Sequence, residues 1–279
     1  MAVLDRFTSI ADGLDHPEGV AWGTDGSVYA GGEAGQLYRV ASDTFTEYAS
    51  TGGFLYGVTP DADGNIFGCD FGRAEVVRVT PSGEVSSYSN GTSERPMRVP
   101  NFATFDDTGN LYVTDSGEWR GEDGLVFRIT PDGVTSVWAE DARGFPNGCC
   151  LNAAGDELLV VETTARRVVR FPILPDGSAG PMESVVDLPD SLPDGIALAA
   201  DGTMFVGCYR PDRIWTIPPD ANPEILADDP DGVTLNQPAN VAFVGPELDR
   251  LCVSSLGGWS LVAGDLGVSG LPLRYPRLD

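Results

Sequence analysis

The stretch Pro193–Leu198 (PDGIAL), with the turn Asp201-Gly202 and the apolar run Met204–Val206 (MFV), contains the unit from which this chain is built. Two apolar strands around such a turn form a β-hairpin, because glycine accepts the positive φ that tight turns require. In another copy, a third strand at Val126–Ile129 and a shorter fourth at Thr135–Trp138 follow the hairpin. The chain therefore repeats an antiparallel unit of three to four strands.

Six segments match the first strand of this unit. They begin at Pro17, Leu55, Pro100, Pro146, Pro193 and Pro238, and successive second positions are 38 to 47 residues apart. Short antiparallel strands repeated at such a period are typical of a β-propeller. We therefore predict an all-β, six-bladed β-propeller with four-stranded antiparallel blades, forming a single domain over residues 1–279.

The sixth copy lacks a strong fourth strand. The segment from Val3 to Ile10 precedes the first copy and is free to supply it. A propeller is a ring of blades, so a strand from one chain end in the blade of the other end closes that ring. We predict closure by this N-terminal strand.

Composition excludes several mechanisms. The chain has 42 acidic residues against 17 basic ones, all of them Arg, and a single His. Without Lys there is no Schiff-base chemistry and no Walker-type phosphate lysine. One His cannot build a multi-histidine zinc site. A net charge of −25 argues against nucleic acid as a partner, because phosphate binding needs a basic face.

The sequence also gives expectations about location. No apolar run approaches the ~20 residues that cross a bilayer, and the N-terminus lacks the apolar stretch of a secretory signal. Five Cys is an odd number without the spacing of a disulfide framework. We expect a cytoplasmic protein with no membrane partner, as a monomer or small homo-oligomer.

The second positions of the six segments form a ring at one end of the predicted channel. They are Glu18, Tyr56, Asn101, Asn147, Asp194 and Ala239. Four are oxygen donors, and carboxylates that meet at an axis repel one another unless something compensates them. A hard divalent cation does so, and carboxylate and amide oxygens suit Ca²⁺, Mg²⁺ or Mn²⁺ better than Zn²⁺. The alternative is that these residues only cap strand ends.

The segments His16–Gly19 (HPEG), Pro146–Gly148 (PNG) and Pro193–Ala197 (PDGIA) resemble the senescence-marker-protein/gluconolactonase/luciferin-regenerating-enzyme family, which includes regucalcin-like lactonases. The resemblance covers essentially the whole chain. It implies one divalent cation, Ca²⁺ first and Mg²⁺, Mn²⁺ or Zn²⁺ as alternatives, held by Glu18, Asn147 and Asp194. It also implies a lactone-hydrolysing enzyme whose substrate contacts Asn101.

One departure from the family pattern concerns the substrate. Sugar lactonases of this family usually carry an Asp directly after the Asn that matches Asn101, and an Arg two residues before it. Here Phe102 follows, and Arg98 stands three residues before Asn101. We therefore expect Asn101, Arg98 and Phe102 to contact either a sugar lactone in a differently shaped pocket or a less polar lactone or ester.

Further substrate contacts are expected at the channel mouth. Trp119 and Arg120 lie on an inserted loop of the third copy, and such loops often cover a propeller channel. An exposed loop without that role is the alternative. Tyr56 belongs to the ring, and His16 stands two residues before Glu18. His16 is a conceivable general base, although a turn residue that positions Glu18 is the simpler interpretation.

These residues suggest a mechanism in which a metal-activated water opens a lactone, with Asp194 and Glu18 as the catalytic carboxylates. Asp194 accepts the proton of the water, and Glu18 mainly supplies negative charge to the cation. Two alternatives stay open. One is a strictosidine-synthase-like or lyase-type propeller enzyme that works without metal, and the other is a non-catalytic binding propeller.

Overall fold

The computed structural model describes residues 3–42 and 44–278. These residues form six four-stranded antiparallel sheets, arranged as the blades of a propeller, and one short 3-10 helix at Val3–Arg6. The all-β, six-bladed prediction is confirmed. In five blades the strands follow one another along the chain, and the sixth combines both chain ends.

The strands have the following bounds. Blade 1 comprises β2 (Val20–Trp22), β3 (Val28–Gly31), β4 (Gln36–Ala41) and β5 (Thr44–Ser50), and blade 2 comprises β6 (Leu55–Pro60), β7 (Ile66–Asp70), β8 (Glu75–Val79) and β9 (Val85–Ser89). Blade 3 comprises β10 (Pro100–Phe105), β11 (Leu111–Asp115), β12 (Leu125–Ile129) and β13 (Thr135–Ala139), and blade 4 comprises β14 (Pro146–Leu151), β15 (Glu157–Glu162), β16 (Arg167–Pro172) and β17 (Glu183–Asp187). Blade 5 comprises β18 (Leu192–Leu198), β19 (Met204–Arg210), β20 (Asp212–Ile217) and β21 (Glu224–Asp228). Blade 6 comprises β22 (Pro238–Val244), β23 (Arg250–Ser255), β24 (Ser260–Asp265) and β1 (Phe7–Asp12).

The N-terminal strand closes the ring as predicted. Strand β1 pairs antiparallel with β24, from Phe7 opposite Gly264 to Asp12 opposite Ser260. The expected segment from Val3 to Ile10 is shifted, because Val3–Arg6 forms the 3-10 helix and the strand starts at Phe7. The hydrogen bonds between β1 and β24 join the two chain ends within the sixth blade, and the chain from β1 to β2 connects that blade to the first.

Burial decreases from the inner to the outer strand of each blade. In blade 3 every residue of β10 is buried, whereas the outermost strand β13 is partly exposed. Neighbouring blades pack face to face, as where Phe67 of blade 2 meets Phe105 of blade 3 with ring centroids 5.1 Å apart. Each blade buries its apolar faces against its neighbours. A single blade is therefore not stable by itself, and the blades stabilise one another within the ring.

The segment after β24 crosses one end of the channel. Leu271 N donates to Leu198 O (2.7 Å) in blade 5, and the hydroxyl of Tyr275 donates to Trp22 O (2.9 Å) in blade 1. Residues 271–274 line a small cavity of about 60 Å³ among the inner strands. We call residues 268–278 the C-terminal tail. It ties the turns of several blades together at this end.

The described residues contain five free thiols. All five cysteines are unpaired, and Cys149 and Cys150 pack into different core clusters, as expected for adjacent strand residues.

Over the ranges 3–42 and 44–278, no helix has the length and apolar character needed to cross a membrane.

Candidate functional site

The starts of the inner strands meet at the channel end opposite to the C-terminal tail. Five of the six predicted ring residues line one pocket there, namely Glu18, Tyr56, Asn101, Asn147 and Asp194. The pocket has a volume of about 440 Å³. The sixth ring residue, Ala239, is fully buried and lies outside the pocket lining.

An irregularity at the start of the inner strands sets the direction of these side chains. The strand register shifts across the ring position in β6, β10, β14 and β18. Such bulges re-aim a side chain that would otherwise follow the alternation of the strand. The next residue is Gly in four copies, and a Cβ on Gly148 would lie 2.7 Å from Asp194 O. The repeated glycine therefore lets neighbouring inner strands approach closely at the axis.

Buried hydroxyl groups from adjacent blades hold the backbone of the ring. Thr114 Oγ1 of blade 3 donates to Asn147 O of blade 4 (2.7 Å). Ser254 Oγ of blade 6 donates to Glu18 O of blade 1 (2.5 Å), across the closure of the ring. Because both hydroxyls are fully buried, these bonds fix two ring positions relative to their neighbouring blades.

Thr163 of blade 4 connects two ring positions at once. Its hydroxyl donates to Pro193 O (2.7 Å), directly before Asp194, and accepts a hydrogen bond from Asn147 Nδ2 (3.2 Å). The amide nitrogen of Asn147 is therefore directed towards Thr163. The amide oxygen is left free for another partner.

The two carboxyl groups of the ring lack a compensating positive charge. Burial, and then the negative charge of Glu33, raise the pKa of Glu18 to about 7. Burial, and then the charge of Glu18, raise the pKa of Asp194 well above its ordinary value, and the Asn147 amide opposes this only in part. In the part of the chain that the structure describes, no arginine pairs with either carboxylate.

The donor set of the ring fits a hard divalent cation. Asn147 Oδ1 is buried and has no hydrogen-bond partner among the described residues. With the carboxylates of Glu18 and Asp194 it offers three oxygen donors of the kind that Ca²⁺, Mg²⁺ and Mn²⁺ prefer. A cation would satisfy the orphaned oxygen and cancel the repulsion between the carboxylates.

His16 lies at the rim of this pocket between two further carboxylates. Its Nδ1 is 2.8 Å from Asp15 Oδ1 and 2.8 Å from Glu33 Oε2. Its Nε2 accepts a hydrogen bond from the indole N–H of Trp259 (3.2 Å). Asp15, His16 and Glu33 are close enough to hold a metal ion. However, the imidazole already bridges the two carboxylates, and both ring nitrogens are engaged.

Comparison with known proteins places the chain in a family. The model of the SMP-30/Gluconolactonase/LRE-like region matches residues 85–257, which is more than half of the chain. The chain belongs to this family. A second model, strictosidine synthase-like, N-terminal, matches residues 3–40.

Three known proteins indicate the range of relatives. A pentonolactonase (XacC) of Haloferax volcanii is 28% identical over 81% of this chain and 76% of its own length. Strictosidine synthase-like 3 of Arabidopsis thaliana is 29% identical over 50% of this chain, and the match spans only 39% of that protein. The crystal structure of regucalcin from Agrobacterium tumefaciens, described as a calcium-binding protein, superposes with a TM-score of 0.79, at 17% identity and 98% coverage of both chains. At that identity the last comparison supports the fold alone.

Three expected substrate contacts lie outside the pocket. Arg98 points away from it and forms ion pairs with Glu118 and Asp123. Phe102 stands where other copies have the repeated Gly, so its ring packs on Gly57 and borders the cavity at the tail end. Arg120 lines an adjoining groove beside Trp119. In the structure, Arg98 and Arg120 lie at the surface, and Phe102 lies in the core.

Other expected contacts are brought together, and some lining residues were missed. The pocket is lined by four of the expected contacts, Tyr56, Asn101, Trp119 and His16. It is also lined by residues that the sequence did not predict, among them Phe54, Phe145, Tyr209 and Leu256. The repeat contained a signal for two of these, since His16, Phe54 and Phe145 each stand two residues before a ring position. Tyr209 lies near the end of β19 and Leu256 directly follows β23, and neither has such a signature.

Proposed function

We propose that the protein is a divalent-metal-dependent hydrolase that opens lactones. Membership of the SMP-30/gluconolactonase/LRE-like family supports this, and so does the relation to a pentonolactonase. In the proposed reaction, water adds to the lactone carbonyl carbon, the ring C–O bond breaks, and a hydroxy acid is released.

The ring residues have distinct parts in this proposal. Glu18, Asn147 and Asp194 would hold the cation, with Ca²⁺ as the first choice. When bound, a cation of this kind supplies a Lewis acid for the carbonyl and lowers the pKa of water. Asp194 accepts the proton of the attacking water, Glu18 provides negative charge, and Asn101 and Tyr56 contact the substrate. His16 positions the loop before Glu18 rather than acting as a base, since both of its nitrogens are engaged.

The observation that carries the metal dependence is the orphaned oxygen of Asn147 beside two uncompensated carboxylates. A scaffold or simple binding propeller has no need for this arrangement, because burying unpaired acceptors at the axis costs stability. The five free thiols support a reducing, cytoplasmic location. The closed ring of six blades supports one domain.

The test combines metal analysis with an activity screen. Purified protein is analysed for bound metal, and lactone opening is followed with a pH indicator before and after chelation. We expect loss of activity on chelation and recovery on adding Ca²⁺, Mg²⁺ or Mn²⁺. Metal-free protein with full, chelator-insensitive lactonase activity would contradict the proposal.

A strictosidine-synthase-like or lyase-type activity without metal is the second candidate. The match of the strictosidine synthase-like model to residues 3–40 favours it. Mass spectrometry of the product separates the two reactions, because hydrolysis adds the mass of one water and elimination or condensation does not. Chelator-insensitive turnover without that mass gain would favour this candidate.

A further inference from the structure

Aromatic side chains surround the ring of oxygen donors. Phe54, Tyr56, Trp119 and Phe145 all line the pocket, and we call them the aromatic wall. They pack edge to face in pairs, with ring centroids 4.6 Å apart for Phe54 and Tyr56 and 4.9 Å apart for Trp119 and Phe145. These pairings hold the rings in defined orientations around the entrance.

The apolar surface continues from the aromatic wall onto the rim. Phe71 stacks on Tyr56 with ring centroids 5.3 Å apart, and Trp259 packs on His16 at 4.8 Å. Trp119, Phe71 and Trp259 keep 45%, 39% and 47% of their surface exposed. Exposed aromatic side chains gathered at one place mark a binding surface, since covering them releases water from apolar area.

Two polar side chains at the rim, His16 and Thr163, are already engaged. His16 is bonded to Asp15, Glu33 and Trp259, and the hydroxyl of Thr163 is held between Asn147 and Pro193. In residues 3–42 and 44–278, no arginine is part of the pocket lining.

A polyhydroxylated ring placed against the aromatic wall would leave the hydroxyl groups that face Phe54 and Phe145 without partners. Each buried hydroxyl that loses water without finding a partner weakens binding. An alkyl or aryl group has no hydroxyl group that would lose its water. Its binding is strengthened by the apolar area that it buries against the aromatic rings.

We propose that the aromatic wall is the subsite for an apolar alkyl or aryl substituent on the lactone ring, so that the protein prefers such lactones over polyhydroxylated sugar lactones. This inference rests on the proposed lactonase function and names its substrate class. The carbonyl end of the lactone faces the ring of oxygen donors, and the substituent points outwards along Phe54, Trp119 and Phe145.

Three δ-lactones with the same ring test this preference. They are unsubstituted δ-valerolactone, butyl-substituted δ-nonalactone and glucono-δ-lactone, each corrected for spontaneous hydrolysis. We expect kcat/KM for δ-nonalactone to exceed that for δ-valerolactone by about tenfold or more, because methylene groups enter an apolar pocket, and glucono-δ-lactone to be the poorest of the three. A preference for glucono-δ-lactone, or no effect of the butyl group, would overturn the inference.

The variant Trp119→Ala locates the subsite. It should lower the ratio of kcat/KM for δ-nonalactone to that for δ-valerolactone by about tenfold, because the partly exposed indole is removed from the wall. The matched control is Phe45→Ala, another exposed aromatic, on the outermost strand β5, that packs on Tyr38 away from the pocket. A ratio that Trp119→Ala leaves unchanged, or that both variants change equally, would place the subsite elsewhere.

A binding measurement separates this inference from the proposed function. The δ-lactams that correspond to δ-valerolactone and δ-nonalactone are titrated into the protein by calorimetry, since lactams resist hydrolysis. If no lactone is opened, the lactonase proposal fails. The apolar subsite then still stands when the butyl lactam binds about tenfold more tightly than the unsubstituted one, and it falls when the two bind equally.

Discussion

The two ends of the central channel are built from the same inner strands but provide opposite environments. At one end, Glu18, Asn147 and Asp194 face a pocket of about 440 Å³. At the other end, Leu271 and Leu273 of the C-terminal tail border a cavity of only about 60 Å³. The pseudo-sixfold repeat relates the blades to one another and not the two ends, since every inner strand starts at the pocket end. The difference therefore comes from the residues placed at each end and from the tail.

This contrast separates binding from stability. At the pocket end, two carboxyl groups have raised pKa values and one amide oxygen has no hydrogen-bond partner. Both features lower the stability of the protein unless a ligand is bound. At the tail end, apolar contacts and hydrogen bonds to several blades leave little that a ligand could improve. Changes at the pocket end should therefore act mainly on binding and activity, and removal of the tail should act on stability.

Asp194→Asn should have the largest effect on activity. The substitution keeps an oxygen donor of similar size but removes the charge and the proton acceptor, so we expect kcat/KM for lactones to fall by about 10²–10⁴-fold and cation affinity to fall as well. The cation-free variant should melt at a higher temperature, because a buried uncompensated carboxylate is gone. The control is Asp12→Asn on the exposed edge of β1. Wild-type activity and cation affinity in the Asp194 variant would contradict this assignment.

Removing residues 271–279 should affect stability rather than chemistry. Loss of the contacts of Leu271, Leu273 and Leu278 should lower the free energy of unfolding by about 2–5 kcal/mol, measured by urea denaturation. At a temperature where the truncated protein stays folded, its kcat/KM should match that of the full chain. The matched control is Arg277→Gln, since Arg277 is exposed and forms a long ion pair of 3.6 Å with Asp63. An unchanged free energy of unfolding after truncation would show that the tail does not stabilise this end of the channel.

Thr163→Val tests how the pocket end is organised. Without the hydroxyl, Asn147 Nδ2 loses its acceptor and the amide can rotate away from the cation, so we expect Ca²⁺ affinity to fall by about 10–100-fold by calorimetry. Thr163→Ser keeps the hydroxyl and should restore most of the affinity. Equal affinities in the valine and serine variants would mean that this bond does not orient the amide.

The pH dependence should be the smallest effect. The pKa of Glu18 is raised from 4.5 to about 7 in the cation-free protein. A folded-state pKa above the unfolded one means that the folded protein gains stability from protonation as pH falls from about 7 to 4.5, and loses it as pH rises. Cation binding requires the ionised form, so the increase in Tm on adding Ca²⁺ should grow between pH 5 and pH 8, as followed by differential scanning fluorimetry. Asp194→Asn should flatten this rise, and an increase in Tm that is largest at pH 5 would contradict it.

Much of the fold could be predicted because the repeat is local. Each blade shows its strands and turns within about 45 residues, and Gly26, Gly64 and Gly202 have the positive φ expected of the Asp-Gly turns. The ring positions followed from aligning the copies. The start of the closing strand was misplaced because Val3 and Leu4 are residues that strands accept, whereas strand pairing with β24 begins only at Phe7.

The substrate contacts were harder to predict because side-chain direction depends on neighbouring blades. Arg98 is near Asn101 in sequence but turns towards Glu118 and Asp123 of the inserted loop. Phe102 occupies a position that is glycine in other copies, and its ring follows the free space over Gly57. Neither partner can be read from local sequence.

The sequence by itself determined the number of blades, the closure of the ring and the residues that meet at its axis, since a repeated pattern places equivalent positions at equivalent sites. Only the tertiary structure decided which polar atoms stay unpaired, which aromatic rings reach the pocket and which channel end the tail covers. These properties depend on contacts between blades far apart in the chain, such as Ser254 with Glu18 and Tyr275 with Trp22. Long-range contacts of this kind have no signature in a local pattern of residues.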